Sequence, residues 1–172
     1  LLGDKGVREY AAAASLLKEQ GVNARCLLLG QLGVSNRTAI TEEEVAVWQS
    51  EGFIEYLGET DDVRPYIEQS DALVLPSYRE GMPRTVLEAA AMGRPAIVTD
   101  VPGCRHAIES GVTGWLCEAR NSESLAAKMR RFVEMEPEQR QAAGDAARQR
   151  MEAHFSEDVG VQSYLDCLKD IE

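Results

Sequence analysis

Residues 71–100 read DALVLPSYREGMPRTVLEAAAMGRPAIVTD, and they contain the clearest pattern of strand, helix and strand in the sequence. An apolar run at 72–76 (ALVLP) leads through a polar loop into a helical pattern at 83–92, and a second apolar run follows at 95–100 (PAIVTD). Both runs are apolar at successive positions, which is typical of strands covered on both faces. Two such strands joined by a helix predict a parallel β-α-β unit.

The same alternation continues on both sides of this unit. Further strands are predicted at 24–30, 53–58 and Gly114–Cys117, and further helices near 5–20, 41–51, 61–69 and 103–110. The order of elements predicts an α/β fold with a Rossmann-like, doubly wound parallel sheet. The last third predicts three helices, at 122–134, from Pro137, and at 156–171 behind a Ser156 cap.

The chain predicts a single domain over residues 1–172, with residues 31–40 (QLGVSNRTAI) as a polar surface loop. A doubly wound domain normally begins with a strand, whereas here a helix opens at Lys5. We therefore expect the first strand to lie at or before Leu1 and Leu2, and the chain to be part of a longer protein.

Composition narrows the class of protein. The 172 residues are 44% hydrophobic and carry a formal charge of −11, which argues against a nucleic-acid-binding protein because such proteins are basic. The cysteines are scattered, without a C-x-x-C pair, which is typical of reduced thiols in a cytoplasmic protein and not of structural zinc. No apolar run reaches the roughly 18–20 residues of a membrane span.

The loop at 77–83 (SYREGMP) is the first place to look for a ligand, because ligands of open α/β sheets bind beyond the carboxyl ends of the strands. Gly81 permits close backbone approach, and Pro83 pre-sets the first helical turn. The N–H groups at that helix start can bind an anion. Residues 77–105 carry four arginines against three acids, so this region tolerates an anionic ligand.

Residues 80–97 (EGMPRTVLEAAAMGRPAI) resemble the E-x7-E motif region of retaining glycosyltransferases with the GT-B fold, which use nucleotide sugars. The stretches DKGVREY (4–10), DALVLPS (71–77), VPGCR (101–105) and GVTGWL (111–116) are similar to the C-terminal, nucleotide-sugar-binding domain of that group. The resemblance covers nearly the whole chain. The details PSYREGMPRT and DVPGCR look like the branch that builds bacterial capsule and O-antigen.

The resemblance implies a role for each motif residue. It makes Glu80 the catalytic carboxylate beside the transferred sugar, Glu88 the acceptor for the ribose hydroxyls, and Lys5 the contact to the diphosphate. A carboxylate suits the ribose because its two oxygens can accept from two adjacent hydroxyls. The remaining nucleotide-sugar-binding positions that it implies are Gly30, Leu57, Gly58, Gly81, Met82, Pro83, Arg84 and Thr85.

The resemblance also implies a function. We expect this domain to bind a nucleotide sugar, with UDP-sugar favoured, for retaining transfer to a glycan or polyprenol-linked acceptor in surface-polysaccharide synthesis. No Asp-x-Asp occurs in the chain, so we expect no metal and no other cofactor. The acceptor-binding half is expected before Leu1, so the isolated chain binds without turnover. We expect a cytoplasmic protein, peripheral at the inner membrane face through that missing half.

The family pattern is broken at two positions: Pro83 stands where many members carry Gly, and His106 where an acidic residue is common. Simpler interpretations also stay open. Arg84 and Glu88 have the i,i+4 spacing of a surface ion pair, and Lys5 has the position of a surface lysine. Glu80 and Glu88 could form a glycosidase acid pair.

Another class remains open as well, a nucleotide-binding or regulatory module without catalysis. The chain lacks G-x-G-x-x-G and G-x-x-x-x-G-K-[ST], which argues against other common nucleotide enzymes. Cys104, Trp48, Tyr56 and Trp115 are expected to be packing residues.

Overall fold

The computed structural model describes residues 1–155. The predicted helix at 156–171, with its Ser156 cap, lies outside the described residues, as does Cys167. None of the helices within the described range is long and apolar enough to cross a membrane.

Five short strands follow one another in the predicted order, and each is parallel to its neighbour. They are β1 (Leu27–Leu28), β2 (Glu55–Tyr56), β3 (Leu73–Leu75), β4 (Ala96–Thr99) and β5 (Gly114–Cys117). The first four are shorter than the apolar runs that predict them, because the ladder hydrogen bonds cover only the middle of each run. The α/β class and the parallel strand order are confirmed.

The strands form two hydrogen-bonded groups, β1-β2 and β3-β4-β5, a division that the sequence does not predict. On β1, the carbonyls of Cys26 and Leu28 accept from β2, at Glu55 and Leu57 respectively. The carbonyl of Leu27 points away from β2 and accepts from the Tyr10 hydroxyl at 3.1 Å. On the side of β1 that faces away from β2, the Tyr10 hydroxyl therefore provides the hydrogen bond that a neighbouring strand would otherwise provide to the Leu27 carbonyl.

Seven α-helices are described, and a short 3₁₀ turn at Gly3–Lys5 precedes them. They are α1 (Val7–Glu19), α2 (Glu42–Ser50), α3 (Arg64–Glu68), α4 (Arg84–Ala91), α5 (Pro102–Ala107), α6 (Ser122–Val133) and α7 (Pro137–Phe155). α5 stops three residues before its predicted end because Ile108 is extended. α3 is shorter than predicted because its first residues form a turn closed by Thr60 and Asp62.

The core lies on both faces of β4, which is buried at every position. Ile97 belongs to one cluster with residues of α1, β1, β5 and α6, whereas Ala96 and Val98 belong to a second cluster with residues of α4 and α5. Helices therefore cover both faces of the sheet, which is the doubly wound arrangement. In the first cluster Trp115 is buried against Phe132, at a centroid distance of 5.5 Å, so its predicted packing role is confirmed.

The loop at 31–40 lies partly on the surface, as predicted, but its last residues pack against the start of the chain. Ala39 forms a bridge with Leu2, and the carbonyl oxygen of Thr38 accepts from Gly3 at 2.6 Å. Ile40 is buried, at 1% exposure. This contact fixes the path of residues 1–6, which pass through the candidate site.

Candidate functional site

Residues 1–6 connect the carboxyl ends of β1 and β3. At one end, the backbone nitrogen of Leu1 donates to the carbonyl of Gln31, the residue directly after the predicted site residue Gly30. At the other end, the Asp4 carbonyl accepts from the Tyr78 amide at 3.0 Å. The segment therefore brings the loops that follow the two strands to the same edge of the molecule.

Lys5 and Glu80, which are 75 residues apart in the sequence, meet at this edge. The distance from Lys5 Nζ to Glu80 Oε1 is 2.7 Å, and the Glu80 side chain is only 11% exposed, whereas that of Lys5 is 48% exposed. The structure thus joins two residues to which the family resemblance assigns roles at the sugar and the diphosphate. Lys5 keeps enough exposure for its ammonium group to contact an anionic ligand as well.

The loop that carries Glu80 is held from beneath by Ser77, which is fully buried. The Ser77 hydroxyl lies 3.3 Å from the Asp4 carbonyl oxygen and 3.1 Å from that of Arg79. Its own carbonyl oxygen accepts from the Thr99 hydroxyl at the end of β4. The backbone beneath Glu80 is therefore bonded both to the start of the chain and to β4.

Tyr78 fastens the same loop to α1 and to the turn after β5, and sequence analysis missed it. Its hydroxyl donates to Glu9 Oε1 at 2.5 Å, and the Arg120 guanidinium lies 4.6 Å from the centre of its ring. Burial, followed by the hydrogen bond to Glu9, raises the pKa of Tyr78 to about 12. Arg120 has φ +59°, which is uncommon for a residue other than glycine. No local sequence signal joins these three residues, because the contact is purely tertiary.

The amino end of α4 follows this loop and is open to a ligand. Pro83 occupies the N-cap position and provides no side-chain hydrogen bond, and the first turn holds no acidic residue. Gly81, Met82, Arg84 and Thr85 are exposed around it, whereas Pro83 is buried. Free N–H groups at a helix start, with an arginine among them, form a favourable environment for phosphate.

Glu88 lies one turn further along α4 and is exposed. Among residues 1–155, no ion pair within 4.0 Å joins it to Arg84, so the structure provides no support for the simple surface pair that their spacing allows. No hydrogen bond in the described chain joins Glu88 to Lys5 or Glu80 either. Its carboxylate is therefore available for a ligand hydroxyl.

The loops after β1 and β2 also meet, at the two glycines that were predicted to line the site. The Gly30 amide donates to the Gly58 carbonyl at 2.8 Å, and the Tyr56 hydroxyl donates to the Gly30 carbonyl at 2.9 Å. Leu57, between Tyr56 and Gly58, is half-buried, and its amide is bonded to Leu28. Both glycines have positive φ, at +145° and +81°, so a side chain would be strained at either position.

Cys104 lies in α5 beside this region and is fully buried. Burial raises the pKa of its thiol to about 11, so the thiolate is scarce at neutral pH. The expectation that Cys104 is a packing residue is therefore confirmed.

The parallel strands, the helices on both faces of the sheet and the loops that meet at one edge make this chain a Rossmann-like α/β domain. Its candidate ligand site lies at the carboxyl ends of the parallel strands. The chain belongs to the family Glycosyl transferases group 1, because the sequence model of that family matches residues 1–150. The sequence analysis reached the same family from the motif at 80–97, and the resemblance is confirmed.

Two curated relatives are bacterial glycosyltransferases, and the name of the second places it in capsular polysaccharide biosynthesis. The chain is 32% identical over 164 residues to the N,N'-diacetylbacillosaminyl-diphospho-undecaprenol alpha-1,3-N-acetylgalactosaminyltransferase of Campylobacter jejuni. The aligned region covers 95% of this chain and 41% of that protein. It is 25% identical over 159 residues to the capsular polysaccharide biosynthesis glycosyltransferase CapM of Staphylococcus aureus, covering 92% of this chain and 41% of that protein. The chain thus spans about two fifths of the length of these relatives.

Among solved structures, the chain is similar to TarM of S. aureus in a complex that contains UDP. The TM-score is 0.83 and the identity 20%, over 96% of this chain and 33% of TarM. At this identity, the likeness establishes a shared fold.

Proposed function

We propose that this chain is the nucleotide-sugar-binding part of a retaining glycosyltransferase and that it binds a UDP-sugar at the carboxyl edge of its strands. The observation that carries the proposal is the 2.7 Å contact between Lys5 and Glu80 beside the uncapped start of α4. Lys5 and the free backbone N–H groups are donors suited to a negatively charged diphosphate, whereas the Glu80 carboxylate is an acceptor suited to sugar hydroxyls.

On this proposal each group has the role that the family resemblance implies, and the charges of Lys5 and Glu88 support the roles of these two residues. Lys5 and the N–H groups around Arg84 and Thr85 bind the diphosphate, and Gly81, Met82 and Pro83 line the path of the sugar. Glu88 accepts hydrogen bonds from the ribose hydroxyls, because it is an exposed carboxylate without a protein partner in the described residues. The paired loops at Gly30 and at Leu57 and Gly58 receive the base.

The chemistry depends on stabilising the leaving diphosphate. Negative charge develops on the phosphate oxygens as the bond to the sugar breaks, and fixed positive groups lower the barrier most when they already point at those oxygens. Lys5 and the helix start supply that charge without a metal. Glu80 lies beside Lys5 and contacts the sugar that is transferred.

We propose that the longer protein transfers this sugar to a glycan or to a polyprenol-linked acceptor. The support is the names of the relatives, one of which acts on a diphospho-undecaprenol substrate while another serves capsule synthesis. On this proposal the acceptor binds to a part of the protein outside this chain. The active site then lies on the cytoplasmic side, at the membrane surface where such acceptors are held.

The proposal is tested by calorimetric titration of the chain with UDP, GDP and ADP, with and without EDTA. We expect UDP to bind most tightly and EDTA to leave its Kd unchanged.

Lys5→Met should weaken UDP binding by about 10- to 100-fold, because a charge-assisted contact contributes about 1.5–3 kcal/mol. Lys18→Met is the matched control, since the Lys18 ammonium group donates to the Glu51 carbonyl and, within residues 1–155, has no ion pair with Glu80. Absence of nucleotide binding would disprove the function, and a strict need for divalent metal would disprove the metal-free site.

A further inference from the structure

The loop that carries Glu80 is also contacted by residues 99–103, which run from the last residue of β4 into the first turn of α5. Thr99 is fully buried, and its hydroxyl donates to the carbonyl oxygen of Ser77, three residues before Glu80. A buried hydroxyl that donates to a carbonyl oxygen restrains that acceptor, because leaving either group unpaired costs free energy.

Gly103 contacts the same loop at Glu80 itself. A Cβ atom placed on Gly103 would lie 2.3 Å from the carbonyl oxygen of Glu80 and 2.3 Å from that of Gly81. Gly103 is not among the glycines with positive φ, so its backbone conformation is open to any residue. The space between the two segments is therefore what requires glycine.

A side chain at 103 would displace the Glu80 backbone. Ordinary contacts of a Cβ atom begin at 3.4 Å, so relief of the overlap needs a shift of about 1 Å. Displacement of a group by about 1 Å can reduce the rate of a positioned reaction by about 100-fold. The loop cannot retreat freely, because Ser77 and Tyr78 tie it to Asp4 on the other side.

We propose that Thr99 and Gly103 are positioning residues that set the place of the Glu80 carboxylate relative to Lys5, one by a hydrogen bond and the other by having no side chain. The proposal rests on the proposed function for the identity of the ligand that Glu80 contacts. The placement of the loop itself does not depend on that identity.

The test compares Thr99→Val, Thr99→Ser, Gly103→Ala and Gly144→Ala. Gly144 is the matched control: a Cβ atom there would lie 2.2 Å from the carbonyl oxygen of Gly93, an equal overlap with backbone at a helix contact away from Glu80. Thr99→Val preserves shape but removes the hydroxyl, whereas Thr99→Ser preserves the hydroxyl. For each variant we measure the melting temperature, the backbone amide chemical shifts of residues 78–81, and the Kd for UDP and for UDP-N-acetylglucosamine or UDP-glucose.

We expect Gly103→Ala and Thr99→Val to move the amide signals of residues 78–81. They should also reduce, by about fivefold or more, the ratio of UDP-sugar affinity to UDP affinity, while UDP affinity itself stays within about twofold. Thr99→Ser should have the amide signals of residues 78–81 and the affinity ratio of the wild type. Gly144→Ala should lower the melting temperature and leave the amide signals and the affinity ratio unchanged.

Unchanged amide signals and an unchanged affinity ratio in Thr99→Val and Gly103→Ala would overturn the proposal. Should Gly103→Ala not fold, the comparison of Thr99→Val with Thr99→Ser still decides it. If the wild-type chain binds no UDP, the proposed function fails, and the amide signals alone then decide whether these two residues position the loop.

Discussion

Glu80 and Glu88 are eight residues apart and lie in different surroundings. Glu80 is mostly buried and paired with Lys5, whereas Glu88 is exposed on α4 without an ion-pair partner among the described residues. Identical side chains in such different settings are suited to different tasks. We infer that the first acts on the transferred sugar and the second on the nucleotide.

Alanine substitution should separate these roles. Glu88→Ala should weaken UDP and UDP-sugar alike by about 1.5–3 kcal/mol, because charge-assisted bonds to the ribose are lost from both. Glu80→Ala should spare UDP and reduce only the additional affinity that the sugar provides. Titration calorimetry on both variants measures this, with circular dichroism to confirm folding and Glu68→Ala, an exposed glutamate of α3, as the control. Unchanged UDP binding in Glu88→Ala would leave Glu88 without a role at the ribose.

At the scale of elements, α2 is attached to α1 by a small polar cluster. Thr41 and Glu44 form a capping box at the start of α2, and Glu44 also accepts two hydrogen bonds from Arg8, at 2.6 and 3.1 Å. The hydrogen bond from Arg8 is the main cause that lowers the pKa of Glu44 below its usual 4.5. The ionised form of Glu44 therefore stabilises the folded state.

This attachment predicts a dependence of stability on pH. Because the folded-state pKa of Glu44 is lowered, its contribution is complete above the unfolded value of 4.5 and is lost as the pH falls through the folded value. Glu44→Gln should be less stable than the wild type at neutral pH, and the difference in the free energy of unfolding should shrink as the pH falls below 4.5. Urea unfolding across this range measures the effect.

Glu42→Gln is the matched control, since Glu42 lies in the same turn, is exposed and forms no ion pair within the described residues. A pH profile of Glu44→Gln that runs parallel to that of the wild type would show that the Arg8 contact does not stabilise the fold.

At the scale of the whole molecule, one core cluster joins the two strand groups. It contains Leu28 of β1 and Ile54 next to β2 together with Ile97 of β4 and Trp115 of β5, and buried residues of α1 and α6 belong to the same cluster. Although no hydrogen bonds connect the two groups of strands, their side chains share the same buried surface. The two groups should therefore unfold together.

We expect a single calorimetric transition whose calorimetric and van't Hoff enthalpies agree. A UDP concentration of 100 times its Kd should stabilise the folded state by about 2.7 kcal/mol, which raises Tm by about 5–11 °C in a chain of this size. Differential scanning calorimetry with and without UDP measures both quantities. Two resolved transitions would show that the strand groups are independent units.

The sequence alone determined the α/β class, the order of the strands and most helix positions. These features are local, since hydrophobic runs and helix-opening residues such as Pro137 act within a few positions. The motif at 80–97 also led to the family, because glutamates, glycines and prolines at fixed spacing form one continuous signature.

Which distant residues meet is visible in the three-dimensional structure and not in the sequence. The contact of Lys5 with Glu80, the bond from Thr99 to Ser77, the close approach of Gly103 and the cluster of Glu9, Tyr78 and Arg120 all join separate parts of the chain. The division of the strands into two groups is of the same kind. Such contacts depend on how the helices pack across the strands, and no pattern within a short stretch of sequence contains that information.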